Sequence, residues 1–158
     1  MEVYKHDKDV WDDADFENMG WHDATVWAVH SNPDKSELLV DLDYIFSWVN
    51  PAGGAAHFTF WVAPVTMVFR EIYDLKIALE SARGGIEIAD FTRSAPLREG
   101  EAGPAHRTYR FDCQEGEITL RSLGFQMFVR SAPRHIEAQS LTLEERGGIS
   151  FALGPNAA

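Results

Sequence analysis

The chain has 158 residues, 45% apolar and 12% aromatic, and its 14 lysines and arginines stand against 25 aspartates and glutamates for a net charge of −11. A chain of this length buries roughly 70% of its unfolded surface and supports one core unaided, while the single Cys113 excludes an internal disulfide framework and a multi-cysteine metal site. Acidity argues against nucleic-acid binding, no window holds the ~18 apolar residues of a membrane span, and the opening Met1-Glu2-Val3-Tyr4-Lys5-His6-Asp7 lacks a signal-peptide layout, so a cytoplasmic protein is expected.

The negative charge is concentrated toward the start. Residues 1–23 carry a net −6, residues 24–92 a net −5, and residues 93–158 balance to zero. Within an acidic N-terminal segment, 1–20, the acids Asp7, Asp9, Asp12, Asp13, Asp15 and Glu17 surround Trp11 and Phe16. Aromatic anchors ringed by carboxylates suit a Lys/Arg-rich surface, which makes Trp11, Asp12, Asp13, Asp15 and Phe16 the expected contacts of a basic protein partner. The same composition also fits a solvated segment that its two aromatics pin to the domain.

From Ala24 onward, runs rich in Val, Ile, Phe, Tyr and Trp read as strands at about 24–31, 36–48, 57–63, 65–80, 86–92, 107–113, 117–123, 125–131 and 135–143. Turn residues separate them: Asn32-Pro33-Asp34-Lys35, Asn50-Pro51-Ala52-Gly53-Gly54, Arg83-Gly84-Gly85 and Glu115-Gly116. Short turns imply antiparallel neighbours, with hairpins over Ala24–Trp48 and Tyr73–Thr92 as the clearest pairs. The expected fold is all-β: one domain over 1–146, an antiparallel meander forming a barrel or a two-sheet sandwich, with at most one short helix. Residues 64–72 fit a two-turn helix by spacing, but their Val, Thr and Phe content favours a bent strand with Pro64 at the bend or edge. Ser94–His106 reads as a mobile loop and 147–158 as a flexible tail.

The chemistry is sparse. Alternation places Cys113 beside Tyr109 and Phe111 as a core thiol, and no nucleophile elbow, phosphate loop, dinucleotide fingerprint or zinc-helix motif is present, which leaves the enzyme classes with local signatures unsupported. In the strand from Glu37 to Trp48, alternate residues Leu38 to Trp48 form one apolar face and Asp41 and Asp43 project from the other, ~7 Å apart. A tight Pro33-Asp34 hairpin would set His22 diagonally beside Asp43. His22, Asp41 and Asp43, with Asp23 as substitute, then form a possible divalent-metal site, whose bound water would make the chain a metal-dependent hydrolase, or a polar structural cluster. The aromatic surplus offers a third reading, a small-molecule-binding barrel with Trp27, Trp48 and Trp61 near its cavity. An uncovered strand edge would permit a homodimer.

The stretch Phe16-x-x-x-x-Trp21-His22-Asp23-Ala24-x-Val26, followed by Leu39-Val40-Asp41-Leu42-Asp43-Tyr44-Ile45, resembles the start of small uncharacterised bacterial proteins. Some relatives with a similar opening are classed as immunity proteins of polymorphic toxin systems. The resemblance implies a compact β-rich cytoplasmic protein with toxin neutralisation as a role, and it carries over no catalytic residue. An acidic surface would suit a basic toxin.

Overall fold

The computed structural model describes residues 4–98 and 104–155. Eleven strands form one antiparallel sheet system: β1 (Val10–Asp12), β2 (Thr25–Asn32), β3 (Glu37–Val49), β4 (Thr59–Arg70), β5 (Tyr73–Leu79), β6 (Ile86–Arg93), β7 (Leu97–Arg98), β8 (Ala105–Cys113), β9 (Gly116–Ser122), β10 (Gly124–Val129) and β11 (Arg134–Ile136). The one helical element among the described residues is a six-residue 3₁₀ turn, Asp13–Asn18. The all-β reading holds, and no helix among the described residues is long and apolar enough to cross a membrane.

The strand order is β1-β10-β4-β3-β2-β6-β8-β9-β5, with β11 against β4 and β7 against β8. The sheet is not closed, yet its two halves share a bent ladder. Only Glu71 and Ile72 separate β4 from β5, and only Leu123 separates β9 from β10. Arg70 pairs with Gly124 and Tyr73 with Arg121, so the two long strands turn the same corner together. Between the layers lies an aromatic core in which Phe69, Phe91, Tyr109, Phe111 and Phe125 pack with centroids 4.3 to 6.1 Å apart. Such offset and edge contacts add to area burial.

Consecutive strands neighbour one another along β2-β3-β4, as a meander requires. The expected Tyr73–Thr92 hairpin does not form. The β8–β9 hairpin inserts between β5 and β6, and its turn takes over their hydrogen bonds: Glu80 N–H donates to Glu115 O at 2.9 Å and Gln114 N–H to Glu87 O at 2.9 Å. Residues 64–72 are strand up to Arg70. Pro64 lies inside β4, and its carbonyl accepts from Arg130 N–H at 3.0 Å, where β10 ends and β11 has not begun. In a strand both backbone groups of a residue point to the same edge, so the missing proline N–H faces that gap and no ladder bond is lost.

The two faces of β3 behave differently. Leu38, Val40, Leu42 and Tyr44 enter the core, while Asp41, Asp43 and Ile45 face outward and are nonetheless buried. The cover is the C-terminal segment from Leu141 to Ala152, which packs back over β3 and β4. Its last part, expected to be a loose tail from 147, is tied down: Ser150 N–H donates to Asp41 at 3.0 Å and Ala152 O accepts from the Thr66 hydroxyl at 2.8 Å. Residues 156–158 of that expected tail lie outside the described residues, as do 99–103 of the expected Ser94–His106 loop.

Candidate functional site

The outward face of β3 holds a buried ion-pair network. Arg146, with a fully buried side chain, clamps Asp41 through Nη1 at 2.9 Å and Nη2 at 2.5 Å, and reaches Asp43 through Nε at 3.0 Å. Arg130 donates to Asp41 at 2.8 Å and to Thr66 at 2.8 Å. Asp43 also accepts from the Trp27 indole and from Leu141 N–H, both at 2.9 Å. The Arg146 guanidinium lies 4.8 Å from the Trp27 ring centroid. Two carboxylates and two guanidiniums, each hydrogen-bonded, satisfy the condition under which buried charge is tolerated. The chemistry of this group is fastening: it holds the C-terminal segment to the sheet.

The expected metal grouping of His22, Asp23, Asp41 and Asp43 is therefore not assembled. The β2–β3 turn is longer than the tight hairpin would need, with Asn32 opposite Glu37, and a bulge at Trp27 then sets Thr25 opposite Asp43. Ahead of β2 the chain turns at Trp21–Ala24, with Asp23 at φ 68°. That turn carries His22 away from Asp41 and Asp43 to the surface, where its ring nitrogen Nδ1 meets Ala89 O at 3.0 Å. Among the described residues no three His, Cys, Asp or Glu side chains are grouped so as to hold a metal ion.

His22 instead belongs to an exposed aromatic and acidic surface. A bulge at Phe46 shifts the β3 register between Ile45 and Ser47, which reverses the facing of the strand end. Trp48 thus leaves the core face it was expected to share with Leu38 to Phe46 and emerges 42% exposed next to Phe58, also 42% exposed. The Trp48 ring packs edge-on against Phe58 at 5.8 Å and Phe60 at 5.0 Å, and lies within 17° of parallel to His22 with centroids 6.4 Å apart.

Carboxylates gather beside His22. Asp23 lies 3.4 Å from His22 Nε2 and accepts from Gln139 at 2.7 Å. The Ala89 carbonyl bond, followed by the charges of Asp23, Glu87 and Asp90, raises the His22 pKa. Glu87 is raised above the usual carboxyl range by desolvation, then by a hydrogen bond with Asp23 and by repulsion from Asp23 and Glu115. Arginine and lysine side chains elsewhere on the chain pair with acids, but among the described residues none pairs with Asp23, Glu87, Asp90 or Glu115. Two grooves flank His22. One, of about 440 Å³, is lined by Gly20, His22, Tyr44, Phe46 and Trp48; the other, of about 490 Å³, by Glu17, Trp21, His22, Asp90 and Arg93 among others.

The N-terminal residues expected to meet a partner make contacts within the fold. Asp13 accepts from Arg93 at 3.0 Å, from the Tyr109 hydroxyl at 2.6 Å and from Phe125 N–H at 2.7 Å, tying the 3₁₀ turn to β6, β8 and β10. Asp12 caps that turn through Ala14 N–H, while Asp15 reaches back to Asp12 N–H and pairs with Lys8. Trp11 packs on the core edge and Phe16 stands edge-on to Phe91 under the Arg93 guanidinium.

The three tryptophans expected around one cavity are dispersed. Trp27 faces the Asp–Arg network, Trp48 the His22 surface, and Trp61 stacks on His135 at 4.9 Å. The core side of the sheet is filled by packed side chains. A cleft of about 910 Å³ lies outside it, between the 130–136 connection and residues 144–150. The open edge at β5 is interrupted by a bulge next to Tyr73 and carries Lys76, two devices that discourage edge-to-edge pairing. Searches of protein-family models, of curated proteins and of solved structures returned no match to this chain.

Proposed function

We propose that this chain is a binding protein for a basic partner, engaged through the surface around His22, Trp48 and Phe58. One observation carries the reading: two half-exposed aromatic rings, Trp48 and Phe58, adjoin His22, which is surrounded by carboxylates that no lysine or arginine of the described chain pairs with. Aromatic side chains supply rigid apolar area, and carboxylates without a lysine or arginine beside them favour a partner of opposite charge. The second groove beside His22 is lined in part by Phe16, Glu17, Met19 and Gly20 of the acidic N-terminal segment. An immunity-type role in the cytoplasm, against a basic toxin, is the narrower form of the same proposal.

The test uses a fluorescent peptide of alternating lysine and arginine, titrated by anisotropy at 50 and 300 mM salt. Binding is expected at low salt and should weaken at least tenfold at high salt. The double charge reversal Glu17→Lys/Asp90→Lys is expected to abolish it, whereas Asp34→Lys/Glu71→Lys, at the opposite end of β3 from Trp48, should weaken it only slightly. Equal losses from both pairs would reduce the effect to net charge and remove the site.

A further inference from the structure

We propose that the cleft between the 130–136 connection and residues 144–150 binds a small neutral heteroaromatic ligand with an acceptor and an N–H donor side by side on one edge, the class to which guanine nucleosides belong. The cleft shares no lining residue with the grooves beside His22, so the proposal is independent of the basic partner. Its volume of about 910 Å³ lies within the ~300–1,000 Å³ of small-molecule sites.

Arg130 is the first argument. Its side chain is 4% exposed, and a guanidinium buried to that extent ordinarily spends its N–H groups on acceptors. Of the five such groups on an arginine, only two are spent within the described chain, on Asp41 and on Thr66, both at 2.8 Å. The guanidinium lines the cleft, which leaves its other donors to a ligand there. Arg146, in the same lining, is by contrast taken up by Asp41, Asp43 and the Gly148 carbonyl.

Acceptors and charge come second. Glu144 and Glu145 line the other wall. Glu145 Oε1 takes Thr142 N–H at 2.9 Å, while its second oxygen and the Glu144 carboxylate receive no donor among the described residues. Arg130 and Arg146 are matched by Asp41 and Asp43, so the remaining charges of the lining are Arg134 against Glu144 and Glu145, one positive to two negative. An anion gains nothing from that sum. A neutral ligand bonded to a guanidinium on one side and a carboxylate on the other engages both signs, and the net −11 of the chain opposes a polynucleotide.

Flatness is the third. His135 stands directly opposite Trp61 in the β11–β4 pair, with its ring 4.9 Å from the indole and 16° from parallel, and its Nε2 lies 2.7 Å from the Thr59 hydroxyl. The imidazole is thus held in place at the lip of the cleft, and a fixed ring is a platform for a stacking base. Guanine sets a carbonyl acceptor beside a ring N–H and an amino group, the pattern that suits a guanidinium and a carboxylate together. Adenine has an amino group in place of that acceptor and lacks the ring N–H.

Isothermal titration calorimetry on the intact protein compares guanosine, inosine and adenosine. Guanosine is expected to bind at least about tenfold more tightly than adenosine, because a site built for hydrogen bonds rejects a ligand that leaves them unmade. Inosine, which keeps the carbonyl and ring N–H but lacks the amino group, should fall between. Glu144→Gln/Glu145→Gln, checked for an unchanged circular dichroism spectrum, should bring guanosine to the adenosine level and leave adenosine binding as it was. In the wild-type complex, nuclear Overhauser contacts from guanosine H8 to the His135 ring are expected. Equal affinity for guanosine and adenosine, guanosine binding that survives the double substitution, or no binding at about 1 mM would overturn the proposal. Should the variant fail to fold, the selectivity of the wild type and its Overhauser contacts decide.

Discussion

Replacing Arg146 with methionine tests whether the Asp41–Arg146–Asp43 network holds the C-terminal segment on the sheet. The substitution keeps most of the side-chain volume and removes the donors at 2.9 and 2.5 Å to Asp41 and at 3.0 Å to Asp43. Arg130 remains on Asp41 at 2.8 Å, but Asp43 keeps only the Trp27 indole and Leu141 N–H. Removing one partner of a buried ion pair costs ~3–5 kcal/mol. In a chain of this size each kcal/mol lowers the melting temperature by ~2–4 °C, so a fall of about 10 °C is expected. Urea unfolding followed by tryptophan fluorescence measures the free energy, and amide exchange at Leu141 and Ser150, both donors to the network, shows whether the segment has been released. Arg146→Lys keeps the charge but not the two-pronged clamp and should fall between the two. A melting temperature for Arg146→Met within 2 °C of wild type, with those amides still protected, would refute the fastening role.

Glu87→Gln should flatten part of the pH dependence of stability: a carboxyl raised in the folded state by burial and by Asp23 contributes stability below its unfolded pKa that is lost as pH rises through the folded value. Melting curves from pH 4 to 7 should therefore show wild type losing stability relative to the variant, and parallel curves would contradict the assignment. Gly116→Ala should destabilise by ~2 kcal/mol or more in urea, because at φ 144° an added methyl would lie 2.0 Å from Ala78 O in the β5–β9 ladder. Cys113, whose thiol burial pushes up to about 11 with help from Glu115 and Asp112, should resist iodoacetamide at pH 7.5 in the folded protein and react on unfolding.

Strand positions were legible because their apolar runs and turn residues are local signals. β3 and β6 lie within one residue of where the alternation puts them. What alternation cannot register is a single inserted residue. The bulges at Trp27 and Phe46 each reverse the facing of everything beyond them, and both moved a tryptophan from an expected inward position to an outward one. Asp41 and Asp43 were correctly placed on one face, but that face reads as solvent-exposed because the group that covers it, Arg146, is about a hundred residues away. A composition signal did exist. The aspartates sit in a run where every neighbouring residue is apolar, the pattern of a strand buried on both sides. The β8–β9 insertion had no such signal, since the Arg83-Gly84-Gly85 turn reads as a hairpin whether its flanking strands pair with each other or admit a later pair between them.

That C-terminal clamp has a consequence for how the protein is made. On a ribosome β2, β3 and β4 emerge together and pair early, long before Arg130 and Arg146 have been synthesised. During that interval the outer face of the young sheet presents Asp41 and Asp43 uncovered, and two like charges on an otherwise apolar surface oppose its sticking to other chains. The same pair becomes costly to bury in any structure that lacks the two arginines. Burial of the outer sheet face thus waits on the last fifth of the chain, and a nascent or truncated product keeps a charged, wettable sheet until its own C-terminal segment arrives to cover it.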